Sequence, residues 1–205
     1  RYGEALHAMY SGNAELYLKE HALAPESPMA GHEPQVMGST FSLTTMLSVA
    51  TGALREAQAL ASKASRLDRE HGLSRARVAF ALGQHDVVDS FTSQVLITGT
   101  DPREKGAALA LRAAALVRRG REAAALADVR NALDYCVVSG SVLPFALLPS
   151  DLRSYFVEMT VDFPQWEWIA DTFAMSPVTG AQLRAPRSAG DDVGGQGGEP
   201  SARLP

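Results

Sequence analysis

The sequence holds a single cysteine, Cys136. One thiol cannot make an intramolecular disulfide, which fits a reducing cytoplasm. Cys136 follows an apolar helical run, so a buried and inert thiol is expected there. No stretch reaches the ~20 consecutive apolar residues that a membrane-spanning helix needs. No basic segment followed by an apolar one opens the chain, so no signal peptide is read. The pattern is already under way at Arg1, as expected of a piece of a longer protein. An excess of charge of either sign is missing too. Nineteen basic residues face 23 acidic ones, for a net charge of -4. That argues against a phosphate-binding surface over the whole chain and leaves a local basic patch open. Alternating strand patterns are absent: "SQVLI" and "CVVSGSVL" read better as helix ends and a loop.

Catalytic and metal signatures are equally scarce. His7, His21, His32, His71 and His85 form no His-Glu-x-x-His pattern and have no cysteine partners, so solvated surface histidines are expected. Ser139-Gly140-Ser141 lacks the strand-turn-helix setting that exposes a nucleophilic serine. "GGQGG" at residues 194–198 has linker composition, with no strand before it to make a phosphate cradle. No residue is assigned a catalytic, metal or cofactor-binding role.

What the chain has is helix formers broken by glycine. In "VRRGREAAALADVRNAL", Gly120 interrupts one long helical pattern, and Gly52 and Gly83 do the same upstream. The region 2–23 reads as two short helices around Gly12. Residues 24–38, with three prolines and no period, read as a loop. Helix returns over 39–70, where Leu54, Ala57, Ala61 and Ala64 make one stripe. Gly72 is read as closing that helix. Val87, Val88, Phe91, Val95 and Leu96 form another stripe. Asp101 and Pro102 supply an N-cap and a first helical residue, with Glu104 completing a capping box. A partner helix is predicted from about Arg121 to Val138, ended by Gly140. An apolar extended stretch then leads to a helix starting near Ser150. "FPQWEWIADTF" carries Trp166 and Trp168 and reads as a last helix. Residues 176–205 are rich in Gly and Pro, without aromatics, and are read as a disordered tail.

The breaks at Gly12, Gly52, Gly83 and Gly120 lie 40, 31 and 37 residues apart. This spacing clusters around the roughly 34-residue period of tetratricopeptide hairpins. Five residues after the first glycine stands Tyr17, and five after the last three stand Ala57, Val88 and Ala125. Seven before them stand Thr45, Ala76 and Ala113, and twelve after them Ala64, Val95 and Ala132. Small residues at these places let two antiparallel helices approach, and stacked hairpins cover one another's apolar faces. The fold class expected is all-α, with residues 1–175 as the repeat domain.

Leu109, Ala113, Leu116, Gly120, Ala125, Val129 and Ala132 resemble the tetratricopeptide pattern most fully. "GALREA" at 52–57 resembles its centre. Thr92 and Arg112 depart from it, standing where the repeat has large apolar residues. With "GSVLPFALLPSDLRSYF" following, the chain resembles the C-terminal helical-repeat region of LuxR-family regulators of the maltose-activator type. Gly140, Pro144 and Phe145 match that family's Gly-x-x-x-Pro-Phe segment and Leu152 its short helix, while Leu143 replaces a frequent Arg. The resemblance implies an effector-sensing or protein-interaction segment, possible self-association, and DNA binding only through a helix-turn-helix outside these residues. The tail would be the linker to it. The alternative expectation is a free-standing scaffold that binds a peptide or protein. Two further features stand out. The basic cluster Arg118, Arg119 and Arg121 reads as a helix end complementing its dipole, or as a contact for DNA phosphates or an acidic partner. Trp166 and Trp168 read as a cap on the stack or as a docking patch.

Overall fold

The computed structural model describes residues 34–64 and 72–165. Among them every regular element is a helix and no strand occurs. The helices are α1 (Pro34–Ala50), α2 (Leu54–Ala64), α3 (Gly72–Ala81), α4 (His85–Thr98), α5 (Pro102–Arg118), α6 (Glu122–Ser139), α7 (Leu143–Ala146) and α8 (Ser150–Thr160). None is long and apolar enough to cross a membrane.

One local device ends α1, α3, α5 and α6. At the end of α5 the Gly120 amide donates to the Val117 carbonyl at 2.9 Å, and the Arg121 amide reaches back to Leu116 at 2.9 Å. These two bonds satisfy carbonyls that the helix itself leaves open, and they require a left-handed residue between them. Gly120 adopts it, with φ of 68°. The same pair of bonds surrounds Gly52, Gly83 and Gly140. The next helix starts two residues later in the first three cases and three residues after Gly140. A connection that short turns the chain back on itself.

The helices pack in chain order and also skip one. α1 contacts α2 and α3; α3 contacts α4 and α5; α5 contacts α4, α6 and α7; α8 lies against α6. α5 is therefore covered from several sides. Its run from Ala108 to Leu116 is buried throughout except at Arg112. A helix apolar around its whole circumference belongs in such a central place. Gly106 fits the same crowding. A Cβ there would lie 3.2 Å from that of Tyr135 and 3.5 Å from the Pro144 ring. Asp101 caps α5 by accepting from the Arg103 amide at 2.8 Å, with Pro102 in the first turn.

The structure differs from the sequence reading in several places. Helix α1 begins at Pro34, inside the region 24–38 read as loop. Proline is compatible with a first helical turn, where its missing N–H has no partner to lose. Gly72 is itself the first residue of α3, and how the preceding segment reaches it lies outside the described residues. A Cβ at Gly72 would meet the Val95 side chain at 2.8 Å and the Phe91 carbonyl at 3.2 Å, so it marks a close crossing with α4. The apolar stretch after Gly140 is not wholly extended, since it contains α7. Val87 leaves the buried stripe of α4, with 41% of its surface exposed, while Val88 and Val95 stay inside.

Candidate functional site

The positions singled out by the repeat spacing face inward among the described residues, which leave out the side chain of Ala64. Ala57, Val88 and Ala125, five residues after their glycines, have no exposed surface, and neither do Ala113 and Ala132. Thr45, Ala76 and Val95 are buried as well. Gly52 and Gly83 share the positive φ of Gly120, at 77° and 73°. Apart from the buried Thr45 hydroxyl, their side chains offer no group able to hydrogen-bond or react. Thr92 solves its own problem: its hydroxyl donates to the Val88 carbonyl at 2.8 Å inside the helix. Such a back-bond lets a polar residue sit in a core.

Polar chemistry gathers instead between helices. Arg112 makes a two-pronged ion pair with Asp128 across the α5–α6 hairpin. Its Nε and Nη2 donate to the two carboxylate oxygens at 2.7 Å each. Asp128 is buried, and Asp89 of α4 lies 4.0 Å from the same guanidinium. The hydrogen bonds to Asp128 raise the Arg112 pKa against the opposing cost of burial, and the charges of Asp128 and Asp89 add to the rise. Sequence reasoning marked Arg112 as a departure from the repeat and missed its partners. The available signal was geometric. Residues 112 and 128 stand eight places before and after Gly120, so an antiparallel hairpin brings them face to face.

A second polar group forms where α3, α4, α5 and α8 come together. Arg119 Nε contacts Asp86 at 2.9 Å, and Arg118 Nη2 contacts Asp151 of α8 at 2.6 Å. These two arginines tie the end of α5 to its neighbours, in addition to any dipole effect. His85, the first residue of α4, sits in the same group. It is half-buried, not a solvated surface histidine as the sequence suggested. Its ring lies 5.1 Å from that of Phe80, and its Nδ1 is buried without a hydrogen-bond partner.

The other candidates resolve into packing. Cys136 is fully buried, and burial pushes its thiol pKa up to about 12, which keeps it protonated and unreactive. Ser139 Oγ donates to the Cys136 carbonyl of its own helix at 3.4 Å. No cluster of three or more metal-ligating side chains occurs among the described residues. Pro144, Phe145 and Leu152 are buried, and the Phe145 ring meets that of Phe156 edge-on at 6.1 Å. This closes the far end of the core over α5 and α6. Trp166, Trp168 and the region 176–205 lie outside the described residues. Comparison of the chain with protein-family models, with curated proteins and with solved structures found no match.

Proposed function

We propose that the chain is a stack of tetratricopeptide-like hairpins serving as the effector-sensing and protein-interaction segment of a LuxR-type bacterial transcriptional regulator. One observation carries the reading. Hairpins turned by the same glycine device follow one another, and the last leads into a buried Pro144-Phe145 segment and the Leu152 helix. That order is the one the family resemblance implies. Each hairpin in such a stack leaves an apolar face for its neighbour, and the stack as a whole offers a continuous inner surface. A protein partner or small-molecule effector on that surface would shift self-association and so position a DNA-binding domain outside these residues. The reading takes residues 1–175 as the repeat domain and 176–205 as a linker, in a cytoplasmic protein. It assigns no catalytic residue and no cofactor.

The coding sequence on either side tests it. A helix-turn-helix shortly after Pro205, or a phosphate loop upstream of Arg1, supports the regulator. A start near Arg1 with a stop after Pro205 overturns it in favour of a free-standing peptide-binding scaffold. A thermal-shift screen with sugars, nucleotides and peptides then identifies the effector class. Enzymatic turnover abolished by one point substitution would overturn the non-catalytic assignment.

A further inference from the structure

His85 begins α4 at the point where the end of α3 and the last turn of α5 meet it. Its surroundings suit a neutral ring and oppose a charged one. Phe80 of α3 covers one side of the imidazole. Nδ1 is buried and faces no acceptor. As a bare nitrogen it is an unpaired acceptor, but protonated it would be an unpaired buried donor on a charged ring, which costs more. The ring also stands in the first turn of a helix, where the peptide dipoles disfavour positive charge. From α5 it faces Arg118 and Arg119, and beside it on α4 is Asp86. Asp86 offsets part of this, but its carboxylate is paired with Arg119 at 2.9 Å, and burial together with the two arginines outweighs it.

We propose that His85 is a proton-operated latch on the junction between the α3–α4 and α5–α6 hairpins. Neutral, it lets the start of α4 pack between Phe80 and the end of α5. Protonated, it needs an acceptor and distance from two arginines, and it obtains both by moving the start of α4 away from α5 toward solvent. The ion pair between Asp86 and Arg119 spans this same junction, so its geometry changes with the ring.

The direction of the pH effect follows. Burial, then the Arg118 charge, lower the His85 pKa below its ordinary 6.5, with Asp86 opposing and Arg119 adding to the fall. The unfolded chain then binds the proton more readily than the folded one. The junction is fully stable above the unfolded value of 6.5 and weakens as pH falls through the lower folded value. Titration of the histidine ring protons of the whole chain by NMR from pH 7.5 to 5.0, with His85→Asn assigning the signal, should give a His85 midpoint below 6.5. Amide exchange in the first turn of α4 and the last turn of α5, corrected for its intrinsic pH dependence, should rise several-fold over that range. In His85→Phe it should not rise. A His85 midpoint at or above 6.5 overturns the latch. So does an equal rise in exchange in His85→Phe. The midpoint is read on the unsubstituted protein, so the test stands even if the phenylalanine variant fails to fold.

Discussion

The α3–α4 and α5–α6 hairpins answer the same steric question with different chemistry. Both carry an arginine eight residues before the turning glycine, Arg75 and Arg112, and both place a residue eight after it opposite, Phe91 and Asp128. In the first hairpin the Arg75 guanidinium lies over the Phe91 ring, 4.3 Å from its centre. In the second, Arg112 pairs with the buried Asp128 through two short hydrogen bonds. The backbone places the two residues opposite one another in each hairpin. What differs is the cost of failure. An arginine that loses an aromatic face keeps a stem to pack and a head that can reach water. A partly buried arginine that loses its carboxylate leaves an uncompensated charge inside the protein.

The largest break in the comparison comes from the crossing itself. Ala125 has no exposed surface. Ala125→Arg should cost more than about 4 kcal/mol, because the helices must separate or bury a charge. Circular dichroism melts that coincide with wild type would place Ala125 away from the hairpin crossing and invalidate the repeat register. Next comes the ion pair. Asp128→Ala should cost about 3 kcal/mol in urea denaturation, below the limit for fully buried pairs because Asp89 remains near Arg112. Asp128→Phe, which gives the second hairpin the chemistry of the first, should recover about 1 kcal/mol of that through the ring face. If the two variants are equally unstable, the hairpins are not interchangeable at this position.

Smaller effects probe what the hairpins share. A Cβ at Gly83 or at Gly120 would touch nothing within 4 Å, so alanine meets only the strain of a positive φ. Each substitution should therefore cost about 1 kcal/mol, and by the same amount at both sites, in thermal melts. A much larger loss at one of them would show that its turn is crowded. The Arg118–Asp151 pair joins exposed side chains across to α8. Asp151→Asn should change stability by less than about 1 kcal/mol, and by less still in high salt.

The helix breaks at Gly52, Gly83, Gly120 and Gly140 were legible in the chain because the turn they make is local. A left-handed residue and two backbone bonds suffice, and glycine is the residue that takes that conformation without steric cost. The start of α5 was legible for the same reason, from Asp101 and Pro102. The packing role of Gly72 was not legible because it is not local. This glycine lacks a side chain to admit Val95 and the Phe91 carbonyl from the next helix, and nothing within its own segment reveals that. Val87 was counted into a stripe that the packing left partly in water.

The charged groups divide the same way. Arg112 was visible as an exception to an apolar pattern, yet Asp128 drew no notice because a single acid on a helix usually faces solvent. His85 passed for a surface histidine, since only the arrival of Phe80 and the end of α5 buries its Nδ1. The sequence by itself determined that the described residues are helical and where their helices turn, because propensity and glycine act over a few residues. Tertiary structure alone decided which polar side chains meet and which ring nitrogen loses water, because those outcomes depend on helices brought together from opposite sides of a turn.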